Sequence, residues 1–494
     1  MRDLIITIPG IMGSELRRDG EPVWNPGVGM VGKLLRHRRW VAGLALDPGD
    51  DPTARLAPDG IVPAGPIASH TIIPGLIELD GYSELDAAVR RAFPDLIEGD
   101  PWAPGSRLDG RDPGRAGVPD YFQFGYDWRR DVRSASMRLH DLIEAALPAL
   151  VAQRSPQARV VLIGHSMGGL VARDYLYGTD LRTGAPFEGW RRVREVITLG
   201  TPYRGSVDAL AYLLFGFRKL FVDFTETVRS YPSIYQLLPR YRVVQDRRDG
   251  ADAWLYPHDL IGRTGLDPGR ARAAYTDFHE ALDAGVAAAG RDAARLTTPH
   301  IGFGHPTRNS MIMTAGEITE SRDAPGYVDA VYDGGDGTVP LLSAIPLELD
   351  AERAVLRYVN QRHGSIQADR RTLESEIQQR LRQSVSGTSD ARDPFAPGAA
   401  PPPALGLAGP NTFLAGEVPY VEVSLAGADT EIALTVHDLA GSGPPQRLTA
   451  APGARVDLPA TPGEYRVEAT CATPRLTSRA LYAVVDPDVV EQPA

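Results

Sequence analysis

Eighteen residues, VVLIGHSMGGLVARDYLY (160–177), leave the chain few folds to choose from. Val160, Val161, Leu162 and Ile163 read as a short buried strand, and Leu170, Val171, Tyr175 and Leu176 recur at helical spacing. Between them, Gly164-His165-Ser166-Met167-Gly168 fits G-x-S-x-G, a strand-to-helix turn that holds a serine hydroxyl clear of the backbone. The turn is so tight that the residues two before and two after the serine need almost no side chain. The helix N-terminus then points at the hydroxyl. A plain Gly-rich turn would also fit five residues, so the weight falls on the flanking strand and helix.

Strands alternating with helices imply a parallel sheet covered on both faces. Residues 4–8, 158–163, 194–199, 311–315 and 354–359 are apolar or β-branched runs, and 134–153 carries a helical pattern. An α/β catalytic domain is therefore expected over 1–385, interrupted by insertions at about 20–125 and 203–300. The first insertion should hold a helix near Tyr82–Phe93. The second opens with "VDALAYLLFGFRKLFVDF", for which a buried helix is the plainer reading; its Phe215, Phe217 and Phe221 are also candidates for a cap over an apolar pocket. Trp24, in "EPVWNPG", is a further candidate for touching substrate from a lid, against a packing role. Residues 386–413, rich in Gly, Pro, Ala and Ser, read as a linker. Beyond it, 414–494 alternates apolar and polar residues between turns, as a small all-β sandwich would.

Composition removes several classes. The formal charge of −11, with no basic stripe to offset it, argues against a nucleic-acid partner. Cys471 is the single cysteine, so neither an internal disulfide nor a cysteine metal site can form, and no metal or cofactor is expected. The opening "MRDLIITIPGIMGSEL" is cut by Pro9-Gly10 and reads as a strand entering a loop, not a signal segment. No stretch reaches the roughly 20 apolar residues of a membrane span. A cytoplasmic location is the expectation.

A serine hydroxyl is a weak nucleophile at neutral pH and needs a base, oriented in turn by an acid. On a sheet with this turn the three follow in the order Ser, Asp or Glu, His. Of ten histidines, only His363 and His437 follow the best acids. His437 sits in a strand pattern beyond the linker, whereas His363 comes three residues after "AVLRYVN", where a loop could carry it over the sheet edge. "YDGGDGTVP" offers Asp336, with Asp333 as the alternative. Glycines on both sides of Asp336 let the backbone bring its carboxylate close to an imidazole. An oxyanion needs two backbone N–H donors. Met167, after the serine, supplies one, and Ile11 in "IPGIMGS" is the candidate for the other.

The motifs "PGIMGSEL" (9–16), "LDGYSEL" (79–85), "FGYDWRRDV" (124–132), "GHSMGGL" (164–170), "LGTPYRGS" (199–206), "PSIYQLLP" (232–239) and "GDGTVP" (335–340) come in an order that resembles the lecithin:cholesterol acyltransferase-like family. The resemblance spans nearly all of 4–365. It implies an α/β-hydrolase fold with cap and lid, an acyl-serine intermediate, Ser166, Asp336 and His363 as triad, and the Ile11 and Met167 N–H groups as oxyanion hole. The C-terminal sandwich lies outside it. Tyr126, Asp127 and Trp128 are expected to brace the strand-to-helix junction near the site, with Arg129 and Arg130 paired to acids.

The expected activity is that of a serine acyl hydrolase or acyltransferase on phospholipid-type esters, with a membrane surface among the expected places to meet them. A carboxylesterase or thioesterase for small soluble substrates is the rival enzyme. A binding protein on a hydrolase scaffold is the rival outside catalysis. The sandwich is expected to serve binding or assembly, such as docking a protein partner, rather than chemistry.

Overall fold

In the computed structural model, the described residues are 3–25, 43–73, 77–107, 117–219, 222–250, 252–262, 265–350, 355–370, 372–373, 402–427, 430–441 and 443–486. Six parallel strands form the central sheet: β1 (Leu4–Ile8), β2 (Tyr121–Gln123), β3 (Val160–His165), β4 (Val193–Leu199), β5 (Thr297–Gly302) and β6 (Arg357–Val359). Their order across the sheet is β6-β5-β4-β3-β1-β2. Every residue of β1, β3 and β5 is buried, as expected of strands covered by helices on both faces. β1 and β3 pair in register from Leu4↔Val160 to Ile8↔Gly164, so both strands end at the same sheet edge.

Helix α1 (Val132–Gln153) buries Met137, Leu139, Leu142, Ile143, Ala146, Leu147 and Leu150 along one stripe. Its start is capped by Asp131, whose carboxylate accepts the Arg133 N–H at 2.9 Å. Helix α2 (Met167–Tyr177) follows β3 without a loop, and α3 (Val207–Phe215) comes shortly after β4. The helix expected near Tyr82–Phe93 is present as Ser83–Ala92.

Three expectations need correcting. The run at 311–315 is not a strand of the central sheet. Ser310–Met313 belongs to a separate four-stranded sheet with Val244–Asp246, Ala253–Leu255 and Ile318–Ser321. Its place is taken by β5, "TTPHIG", where Pro299 and His300 hide a buried strand from any hydrophobic pattern. The edge strand β2 and most of β5 lie inside the stretches assigned to insertions, because three residues at a sheet edge carry too short a period to read.

The third correction concerns 386–413. Residues 386–401 lie outside the described residues, but Ala404–Ala408 and Thr412–Leu414 are strands. Gly406 in this segment serves close packing, since a Cβ there would fall 2.6 Å from the Gly304 carbonyl oxygen. These strands join two C-terminal sheets, one of three strands and one of five, that enclose a core including Leu405, Val423, Leu434, Val467 and Tyr482. Among the described residues, no helix is long and apolar enough to cross a membrane.

Candidate active site

Ser166 sits at the end of β3 with φ 51° and ψ −125°, a left-handed backbone that costs a non-glycine residue about 1–3 kcal/mol. The first turn of α2 holds it there by crossing the end of β1. A Cβ on Gly168 would lie 2.3 Å from the Ile8 carbonyl oxygen, so only glycine fits. Gly10, in the loop after β1, packs against the serine itself, where a Cβ would meet Ser166 Cβ at 2.8 Å.

Ser166 Oγ lies 2.9 Å from His363 Nε2, and His363 Nδ1 lies 2.8 Å from Asp336 Oδ2. The other carboxylate oxygen, Oδ1, accepts the N–H groups of Thr338 and Val339 at 3.0 and 2.7 Å. The His363 N–H in turn donates to the Asp336 carbonyl at 2.9 Å, fastening the two loops to each other. Burial alone would lower the His363 pKa. The Asp336 charge and hydrogen bond, with a further contribution from Asp208, outweigh it and raise the pKa above its ordinary value. Asp333 is exposed, and its carboxylate accepts the Ala324 N–H, so it is not the partner of this imidazole. His437 lies in the C-terminal strand Ile432–Asp438.

Two residues that the sequence reading left without a role connect this group to the loop after β1. His165 Nε2 donates to the His363 carbonyl at 2.9 Å, which leaves Nδ1 to accept the Tyr82 hydroxyl proton at 2.8 Å. The Tyr82 oxygen accepts the Gly10 N–H, also at 2.8 Å. Burial pushes the His165 pKa down to about 3, so the ring stays neutral and the direction of this chain is set. The only sequence signal for it was the position of Tyr82 in "LDGYSEL" and of His165 beside the serine.

The tyrosine-tryptophan segment braces the same loop. Tyr126 Oη donates to the Pro9 carbonyl at 2.9 Å, and Trp128 Nε1 donates to the Ser14 carbonyl at 3.2 Å. Arg129 pairs with Asp127 and Asp59, and Arg130 with Asp50. Ser233 and Gln236 of "PSIYQLLP" fix this segment from the other side. Ser233 Oγ donates to the Trp128 carbonyl, and the Gln236 side chain accepts the Val132 N–H while donating to Asp131.

Ser166 and His363 open into a cavity of about 380 Å³. Its apolar wall includes Met12, Tyr212, Val228, Tyr231, Ile234 and Leu237, and Ile11 lines it beside the serine. The cap residues proposed from sequence are placed differently. Helix α3 turns Asp208, Ala209 and Tyr212 toward the cavity, while Phe215 stands in its last turn, 48% exposed and away from the lining. Phe217 is buried between Tyr212 and Phe224, with ring centroids 5.6 and 5.7 Å apart. Phe221 lies outside the described residues. Trp24 is fully buried, donates its indole N–H to the Met12 carbonyl at 3.0 Å and packs edge-on against Trp128. It supports the loop after β1 and does not reach the cavity.

Asp208 is buried at the cavity wall, and burial raises its pKa even though Arg308 pairs with it at 2.7 Å. Arg308 also holds Glu320 at 2.7 Å. Among the described residues, no group of three or more His, Cys, Asp or Glu side chains is arranged to hold a metal ion.

A parallel sheet with a strained serine between strand and helix, and a histidine and an aspartate delivered from later loops at the same edge, defines an α/β-hydrolase fold. Residues 119–255 match the model of the family described as lecithin:cholesterol acyltransferase, so the resemblance read from the motifs holds over that segment. That family is one of lipid acyl hydrolases and acyltransferases in general. No curated protein sequence matches the chain. Solved structures similar at low identity include the following two. The first is that of the Tle4-Tli4 complex, at 17% identity and a TM-score of 0.46, covering 77% of this chain and 98% of that one. The second is Bacillus licheniformis lipase BlEst2 in its propeptide form, at 12% identity and a TM-score of 0.29, covering 73% and 86%.

Proposed function

We propose that the chain is a serine acyl hydrolase or O-acyltransferase acting on lipid esters through an acyl-serine intermediate. The observation that carries this reading is the unbroken relay Ser166–His363–Asp336 at the floor of an apolar-walled cavity. With Nδ1–H donated to Asp336, His363 presents an unprotonated Nε2 to the serine hydroxyl. As Oγ attacks the ester carbonyl, Nε2 takes its proton and Asp336 stabilises the imidazolium that forms. The Ile11 and Met167 N–H groups hold the oxyanion, and His363 returns the proton to the departing alcohol. Water or an acceptor alcohol then attacks the acyl-serine by the reverse sequence.

A fluorophosphonate probe should label the native protein at one site, and peptide mapping should find that site at Ser166. Labelling at any other residue, or none, defeats the reading. A chain-length series of p-nitrophenyl esters, with phospholipid vesicles alongside, then separates a lipid enzyme from one for short soluble esters. kcat/KM should rise with acyl length for the former.

The chain from Tyr82 to His165 carries its own prediction. Tyr82→Phe removes the acceptor of the Gly10 N–H and the donor to His165 Nδ1 while keeping the ring. Two buried polar groups then lose their partner, at about 1–3 kcal/mol each in stability. Because Gly10 neighbours Ile11, kcat should fall by roughly tenfold with KM little changed, the split expected of an interaction felt mainly in the transition state. Melting and steady-state kinetics on the same sample check both. A stability loss with intact kcat would leave Tyr82 a purely structural residue.

A further inference from the structure

The turn Gly409–Pro410–Asn411 lines the same cavity as Ser166 and His363, although it belongs to the C-terminal sheets. It links Ala404–Ala408, in the three-stranded sheet, to Thr412–Leu414, in the five-stranded sheet. Both ends are therefore pinned by strand pairing. The Asn411 carbonyl also accepts the Ala483 N–H at 2.9 Å, and a Cβ on Gly409 would lie 2.9 Å from the Tyr420 carbonyl oxygen. This is a fixed wall and not a loose tail.

The C-terminal sheets are fastened to the residues just before His363. Asn360 Oδ1 accepts the Leu405 N–H at 2.9 Å while its Nδ2 donates to the Phe303 carbonyl at 3.0 Å. Gln361 Nε2 donates to the Thr477 carbonyl at 2.9 Å. Leu481, Ala483 and Val485 pack into the main core of the catalytic part. Arg362 lines the cavity and also the narrow cleft against Ala408, Gly409 and Pro410. The wall therefore stands on the side of the cavity where His363 emerges. The apolar wall built by Tyr212, Val228, Tyr231 and Ile234 comes from α3 and the segment after it.

We propose that Gly409–Pro410–Asn411 is a specificity element for the alcohol portion of the ester, and that the C-terminal sheets thereby form part of the active site. The inference rests on the acyl-serine reading above. In that reaction the departing alcohol takes its proton from His363 Nε2, so the alcohol must lie on the His363 side, beside Arg362 and the turn. The acyl chain is left to the apolar wall. An incoming acceptor alcohol meets the same turn, because acyl transfer to it is the reverse of the first step. On this proposal the binding expected of the C-terminal part includes the substrate's alcohol portion, at the wall of the catalytic cavity.

The mechanism supplies a clean test. Esters that share an acyl group share one acyl-enzyme, so a residue touching only the alcohol changes acylation and leaves the hydrolytic second step alone. Asn411→Ala and Pro410→Ala, made in the full chain, are compared with the native protein on two panels. One holds the acyl group fixed as butyrate and varies the alcohol among p-nitrophenol, methanol, glycerol and glycerol phosphate. The other holds p-nitrophenol fixed and varies the acyl chain. At least one variant should change the relative kcat/KM values across the alcohol panel by about tenfold, the usual size of one lost contact. The relative values across the acyl panel should hold within about twofold, well below what a lost acyl contact would produce.

A uniform loss across both panels, a shift confined to the acyl panel, or no shift in either variant overturns the proposal. Ser166→Ala run on the same panels keeps the two readings apart. If it stays active throughout, the acyl-serine reading falls and takes this inference with it. If it is inactive and both turn variants keep native selectivity, only the role of the turn is lost.

Discussion

Ser166→Ala is expected to lower kcat for the best ester by about 10⁶-fold, leaving the protein folded. In the proposed reaction Oγ is the atom that bonds to the acyl group, and neither His363 nor Asp336 can substitute for it. A fall of that size is characteristic of a nucleophile that acts as a unit with its base, where losing either disables both. Residual turnover of roughly 10³–10⁴ over the uncatalysed reaction should remain, from the oxyanion donors and substrate binding.

The folding half of this expectation follows from local geometry. Alanine keeps the Cβ that Gly10 packs against and accepts the same φ of 51°, so neither the turn nor α2 has reason to move. Among the described residues, the hydrogen bond lost from the hydroxyl is the one to His363 Nε2, which faces the cavity. Thermal melting should change by no more than a few degrees. A variant that retains more than a hundredth of native kcat would rule out Ser166 as the nucleophile. So would burst kinetics with a p-nitrophenyl ester that persist after the substitution.

Much of this site could be read from the chain because its constraints are local. The turn around Ser166 demands small residues at fixed offsets, and the chain order of acid and base leaves His363 and Asp336 with few competitors. The brace around the loop after β1 was legible only as motifs. Its logic, with Tyr126, Trp128 and Trp24 all donating to backbone carbonyls of residues 9–14, appears once the segments meet. Trp24 illustrates the limit: the sequence offered both a lid contact and a packing role, and only the fold shows its N–H on the Met12 carbonyl inside the core.

The cavity wall was less legible for the same reason. Phe215, Phe217 and Tyr212 all read as large aromatics in the sequence, and only the packing of α3 and the residues after it decides which of them faces the cavity. The C-terminal segment misled more strongly. Gly and Pro between 404 and 411 suggest flexibility, whereas Gly406 is there because a neighbouring backbone approaches too closely for a side chain. A glycine selected for contact and one selected for freedom cannot be told apart without the partner.

Asp336→Asn is the second substitution expected to have a large effect, about 10⁴-fold in kcat with the geometry preserved. The sign follows from the hydrogen bonds on its two oxygens. Oδ1 accepts N–H groups from Thr338 and Val339, so the amide of an asparagine must keep its oxygen there. Its NH₂ then faces His363 Nδ1 and cannot accept a proton from it. The imidazole is driven to the opposite tautomer, with its proton on Nε2, and a protonated Nε2 cannot take the serine proton.

The pH dependence separates this from a general loss of structure. In the native protein, Asp336 is the main influence raising the His363 pKa against burial. The proposed mechanism requires neutral His363, so native kcat/KM should fall as pH drops through that raised pKa. Without the carboxylate, burial dominates and the pKa moves down. The acid limb of the Asp336→Asn profile should therefore shift to lower pH, even as the plateau drops by about 10⁴. A profile that falls in height with its acid limb unmoved would mean that the carboxylate does not set the state of this imidazole, and the relay would have to be redrawn with another acid.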